Sequence, residues 1–430
     1  MMALQPVSAT LFAYQVGFGD CFLLRFTYSD QSTRHVLIDF GTTGLPKGAA
    51  DAHLLLIAKD IEAQCGGQLD AVVATHRHAD HISGFATAAN GNGPGDVIRS
   101  LKPRLVLQPW TEDLKLAVDS KGPAGSAAAG RLAAARSLRE MQQVAEHTVA
   151  ALDRKPNYFN RKIAAQLRFI GEDNISNASA VRNLSTMGRK NVYAYHESDS
   201  GLETLLPGIK VHVLGPPTLH QSEAIRKQRS VDPAEYWHLQ SRRAADIGAQ
   251  VGDGGPVFAD HVIAKGGKLP AHARWLAYRM KQAQGEQLLQ IVRTLDKQMN
   301  NTSLILLFET PNKKLLFPGD AQIENWSVAL SKAKYLDLLA DVDLYKVGHH
   351  GSLNATPKTM WNRFSKKGKA SKPGRMQSVL STMPHKHGSE DAGTEVPRIK
   401  LVKDLQSQTN FHTTTALGAG DLYVRVDIKV

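Results

Sequence analysis

The chain has 430 residues, 42% hydrophobic and 21% charged, ordinary values for a globular protein of one large domain or two. No apolar run reaches the roughly 18–20 residues that span a bilayer, no basic start and apolar stretch mark a secretory leader, and the two cysteines, Cys21 and Cys65, frame no disulfide network, so a cytoplasmic protein without membrane association is expected. The net charge of +12 favours polyanions as partners, nucleic acid first, although it also serves solubility alone.

Residues 8–40 predict a β-meander. Thr10-Leu11-Phe12-Ala13-Tyr14-Gln15-Val16 is rich in strand formers, Gly17-Phe18-Gly19-Asp20 turns the chain, and two further apolar runs follow, the second ending at Asp39. Asp20 and Asp39 fall at strand ends, where turn capping accounts for them as well as catalysis does; they are expected behind the site. Residues 51–64 carry Leu54, Leu55, Leu56, Ile57 and Ile61 at helical spacing, and Gly66-Gly67 ends that helix. Leu69-Asp70-Ala71-Val72-Val73-Ala74 then predicts a buried strand running into Thr75-His76-Arg77-His78-Ala79-Asp80-His81. The order strand, helix, strand, histidine loop is that of an α/β layer protein.

His76 and His78, two apart in extended backbone, point the same way and can share one metal ion. Asp80 and His81 are offset and suit a second, and borderline-soft divalent ions such as zinc take this mixture of imidazole nitrogen and carboxylate oxygen. The competing reading is a polar loop that is merely rich in histidine.

H-x-H-x-D-H after a hydrophobic strand resembles the signature of the metallo-β-lactamase-fold hydrolases. The resemblance implies an α/β fold of αββα four-layer type, a single domain over 1–430, with a two-metal site at one edge of its two sheets. In detail, V-G-F-G-D-C-F-L-L and L-I-D-F-G are similar to the opening of the ComEC-type competence subgroup.

After the short strand Leu105-Val106-Leu107 the resemblance thins. Residues 111–200 are expected as a helical insertion, with amphipathic stretches over 127–152. A strand returns at Lys210-Val211-His212-Val213-Leu214, and residues 218–299 form a second largely helical insertion with a basic cluster from Arg226 to Arg243 and a final helix over 271–299. The two insertions are expected to form a lobe that selects substrate.

Residues 303–317 predict a hairpin around Pro311-Asn312-Lys313, ending in Pro318-Gly319-Asp320-Ala321. This run is close to the subgroup pattern, which implies that Asp320 bridges the metals. Asp341-Val342-Asp343-Leu344-Tyr345-Lys346-Val347 leads into Gly348-His349-His350-Gly351-Ser352, similar to the subgroup's D-x-L-K-V-x-H-H-G-S block. One of His349 and His350 is implied to bind metal and the other to bond substrate or a ligand; the sequence leaves open which. Residues 366–375 are the densest basic run, either a solvated loop or a polyanion contact. After the strand Ser378-Val379-Leu380-Ser381, His387 matches the subgroup's terminal active-site histidine, with His385 its rival, and 422–428 alternate as a closing strand.

The resemblance thus implies two divalent ions, zinc or alternatively manganese: His76 and His78 on one, Asp80, His81 and His349 or His350 on the other, Asp320 between them. A hydroxide bridging the ions attacks phosphorus or a carbonyl, Asp80 belongs to the catalytic set, and His387 or His385 steadies the oxyanion or protonates the leaving group. No third histidine for the first ion is evident; His212 could point either way. The expected function is a phosphodiesterase or nuclease. The alternatives are an esterase or phosphodiesterase acting on a nucleotide or choline-type ester, and a non-catalytic binding module of the same fold.

Overall fold

The computed structural model describes residues 4–113, 152–154, 163–164, 167, 177–218, 220–222, 279, 283, 285–286, 299–352, 356–387, 390, 395–418 and 420–430. Strands β1 (Pro6–Tyr14), β2 (Cys21–Tyr28) and β3 (Thr33–Phe40) make the expected antiparallel meander. Helix α1 (His53–Gln64) crosses back to β4 (Ala71–Val73), parallel to β3. The short α2 (Ala79–Ile82), then α3 (Pro94–Ser100), lead to β5 (Leu105–Pro109), parallel to β4. Helix α4 (Ala178–Met187) and strand β6 (Lys190–Ala194) follow, with β6 parallel to β5 at the sheet edge. Both lie within the stretch expected as the first insertion, so its last residues join the sheet. As an edge strand with mostly half-buried positions, β6 carries little apolar pattern. All but scattered positions of the helices expected over 127–152 and 271–299, and the basic cluster from Arg226 to Arg243, lie outside the described residues.

The second sheet has the order β12-β11-β10-β9-β8-β7. It contains β7 (Lys210–Gly215), the hairpin β8 (Ile305–Glu309) and β9 (Lys314–Phe317), then β10 (Leu344–Lys346), β11 (Gln377–Leu380) and β12 (Asn410–Thr413). From β9 to β12 neighbours run parallel, which demands crossovers. These are α5 (Ile323–Leu330) and α6 (Ala333–Ala340), α7 (Lys358–Arg363) and α8 (Ile399–Gln408). Strand β13 (Tyr423–Lys429) returns to the first sheet beside β1.

Side-chain alternation sorts the core into three layers. Leu11, Phe22, Leu24 and Phe26 of the first sheet meet Leu306, Phe308, Leu315 and Phe317 of the second. The intervening positions Phe12, Tyr14 and Leu23 face Ile57, Ile61, Ile98 and Leu184 of the first helical layer. On the far side Ile305, Leu307, Leu316 and Tyr345 face Trp326, Leu339, Met360 and Leu405. Each such side chain contributes roughly 1.5–3 kcal/mol by leaving water. The result is the αββα sandwich that the resemblance implied.

Strand direction then decides where chemistry can sit. β3 and β4 in one sheet and β9, β10 and β11 in the other release the chain at a shared edge. There lie Asp39, the histidine loop, Asp320, His349-His350 and the turn holding His385 and His387. The basic run 366–375 precedes β11 and so occupies the opposite edge. Lys366 lies 2.8 Å from Asp343 just ahead of β10, and Arg375 donates to the carbonyl of Ser407 at the end of α8.

Helix α2 packs directly on the end of β3. A Cβ on Gly41 would stand 2.5 Å from both the carbonyl oxygen of Ala79 and the amide nitrogen of Ile82. Gly41→Ala is therefore expected to destabilise the fold by about 1–3 kcal/mol through overpacking. A lowered urea midpoint at unchanged slope, measured with chelator present, checks this; an unmoved midpoint refutes the close packing.

Candidate metal centre

The histidine loop is shaped by its anchors. After β4, the Thr75 amide donates to Asp39 Oδ1 and the Thr75 hydroxyl to Oδ2, each at 2.7 Å. Asp39 Oδ2 also accepts from His81 Nδ1 at 2.8 Å. That bond turns His81 Nε2 toward the sheet edge, where it lies 3.2 Å from Asp320 Oδ2 and 3.8 Å from Asp80 Oδ1. His350 is set the same way. Its Nδ1 donates to the Ser381 carbonyl at 3.1 Å and its Nε2 to Asp80 Oδ2 at 2.8 Å, across 270 positions of sequence. An imidazole whose far nitrogen is held by a carboxylate or carbonyl while the near one faces other donors is the usual posture of a metal ligand. His76 Nε2 and His78 Nδ1 meet at 2.9 Å, as two-residue spacing required.

Three buried groups of donor atoms result among the described residues: His76, His78 and Asp80; Asp80, His81, Asp320 and His350; and, behind them, Asp20, Asp39 and His81. Asp80 is common to the first two. Of the paired histidines it is His350 that joins the group. His349 is a quarter exposed, bonds Ser352 Oγ through Nδ1 at 2.8 Å, and stands 4.0 Å from Asp320. Both adopt left-handed backbone (φ 46° and 50°), a cost found chiefly where function fixes the chain. His387 packs on Phe18 at 4.2 Å between ring centres, and Phe18 in turn packs on His350 at 4.5 Å. His385 is exposed, two residues away. His212 is not brought to the edge, since its Nε2 pairs with Glu309 at 2.7 Å.

Electrostatics suit a cation. Burial pushes the Asp80 and Asp320 carboxyls up, but His81 and His350 outweigh it and hold both below the usual carboxylate range. Burial lowers His81 and His350, yet the surrounding aspartates raise both. His76 is held well below the ordinary histidine value by burial and by its histidine neighbours, so its ring is neutral, with one nitrogen free to offer a lone pair. The decisive observation for the donor set is that Asp80 Oδ1 and His81 Nε2, buried and facing each other, make no hydrogen bond among the described residues. A buried acceptor left so costs stability unless something fills the gap, and a divalent ion fits imidazole and carboxylate together.

Lys346 stands beside this cluster, with a role that the sequence alone does not assign. Its side chain is only 2% exposed and forms an ion pair with Asp20, itself fully buried. Its signals in the sequence are its place as the lysine of the D-x-L-K-V-x-H-H-G-S block and its charge inside an otherwise apolar strand.

If this set takes up metal, His81 and His350 must each lose a proton while His76 loses none. Raised values mean these two keep their protons to higher pH than a free imidazole does, so apparent affinity is expected to fall as pH falls through their titration, by up to about tenfold per unit for each proton released. Calorimetry of zinc binding in buffers of different ionisation enthalpy measures the protons directly; binding without proton release would contradict the assignment.

Among the described residues no helix is long and apolar enough to cross a membrane. Residues 14–138 match the family model for the metallo-beta-lactamase superfamily, a span that ends well before Asp320 and His350. No curated protein matches the chain. Match and architecture agree: the two-sheet αββα arrangement is consistent with the sandwich of that superfamily, whose members are mostly metal-dependent hydrolases, and the buried histidine and aspartate cluster suits divalent ions.

Proposed function

We propose that this protein is a metal-dependent phosphodiesterase with two divalent ions, zinc or alternatively manganese, at the shared sheet edge. The observation that carries the reading is the pair of buried donor groups joined at Asp80. His76 and His78 hold one ion, and Asp80, His81 and His350 hold the other. Asp320, which touches the second set and whose charge is also felt at His76, lies between them. When bound, such ions lower the pKa of water and take up charge developing on the substrate.

The remaining groups act by position. Burial first, then the charges of His350 and Lys386, pull His387 down to about 4, so its imidazole is neutral at physiological pH. It therefore serves as a neutral hydrogen-bonding group toward a phosphoryl oxygen, being too weak a base to take up a proton readily and having no imidazolium proton to give the leaving group. His385, exposed beside it, contacts the departing portion of the substrate. The net charge of +12 favours an anionic substrate.

A second reading has its own support. Next to His387 a cavity of about 460 Å³ is lined by Val396, Pro397, Ile399 and Val402 together with Glu395 and Lys403. Its size and mixed walls suit a small ester or nucleotide better than a polymer. Zinc- or manganese-loaded protein assayed on single- and double-stranded nucleic acid, cyclic nucleotides, an activated nitrophenyl phosphodiester and nitrophenyl carboxylic esters separates the readings. Turnover of the phosphodiesters, lost by a hundredfold or more in Asp320→Ala and His78→Ala, is expected. Cleavage of carboxylic esters alone supports the small-ester reading, and stoichiometric metal with no turnover of any substrate indicates a binding module.

A further inference from the structure

Lys346 has the parity of Leu344 in β10 and so points between the sheets, where the neighbouring positions are apolar. An ammonium there is expensive to bury unless every donor is used. It is: Nζ pairs with Asp20, donates to the Gly319 carbonyl at 3.2 Å, and lies 3.5 Å from Asp320 Oδ1. The His349 amide donates to the same Oδ1 at 3.1 Å. With Oδ1 held from two sides, Oδ2 is the oxygen left facing His81 and His350, at 3.2 and 3.6 Å. Asp20 completes the frame. Its carboxylate lies 3.6 Å from His350 Nδ1 and 3.8 Å from His81 Nδ1, and its amide donates to the Asp80 carbonyl at 2.9 Å.

We infer that Lys346, pinned by Asp20, is a positioning residue that aims Asp320 at the metal centre. The inference rests on the metal-centre reading above. Asp20 and Lys346 come from different sheets, so the pair also ties the aim of Asp320 to the docking of the two halves. The competing account is a buried ion pair that only supports the fold.

The two accounts differ in a double variant. Removing one partner strands a buried charge, whereas removing both relieves it. Full-length Lys346→Met, Asp20→Asn and the double variant are compared with wild type by thermal unfolding without metal, by zinc affinity against a chromophoric chelator, and by the visible spectrum of the cobalt-loaded form. Lys346→Met is expected to weaken zinc binding about 10–100-fold, the range typical of lost outer contacts to ligands. The double variant is expected to recover unfolding temperature yet keep the weakened affinity and an altered cobalt spectrum. Wild-type affinity and spectrum in either the double variant or a folded Lys346→Met overturn the inference while leaving the phosphodiesterase reading intact. A wild-type protein that takes up no divalent ion overturns both.

Discussion

Four buried carboxylates crowd one imidazole: Asp20, Asp39, Asp80 and Asp320 all lie within 3.8 Å of a nitrogen of His81. Like charges brought this close in a poorly solvated place repel strongly, and the surrounding fold can be read as the means of keeping them there. Asp39 is occupied by Thr75, Asp20 by Lys346, and Asp80 by His350. What remains without a hydrogen bond at the sheet edge is Asp80 Oδ1 and His81 Nε2, with Asp320 Oδ2 beside them. The centre is less a set of ligands than a charge deficit with a fixed address.

That address needs both sheets. The first supplies His76, His78, Asp80 and His81; the second supplies Asp320 and His350. Neither half alone completes either the second donor group or the Asp20–Lys346 pair. Any ion that binds the assembled edge and not the open chain therefore adds its binding free energy to the closure of the sandwich.

Part of this is legible in the sequence. The histidine loop announces itself because period-two spacing after an apolar strand fixes side-chain direction, whereas Asp320 and the His349-His350 pair are implied only by the resemblance of their runs to the ComEC-type pattern. The choice of His350 was not legible, since it depends on a left-handed turn that carries one ring inward and leaves its neighbour at the surface. The role of Lys346 is hidden because a lysine two places from Leu344 gives no sign of whether its face is wet or dry; only Asp20, in the turn before β2, settles that. Edge strand β6, and helices α5 and α6, were unmarked because half-buried elements between strong strands carry weak periodicity. The basic run was seen, but its location follows from strand direction, which composition does not encode.

The placement of residues 366–375 at the edge away from the histidines separates two things a cationic protein can do to a polyanion. Attraction and cleavage, if both occur, happen at opposite ends of the sheets. A polyanion held at the basic edge must extend along the length of the strands to meet the metal edge, so a longer strand has more ways to loop from one to the other. Its benefit then depends on the effective concentration set by the length of the loop. Length dependence, more than base sequence, becomes the natural variable by which such a molecule would discriminate among its substrates.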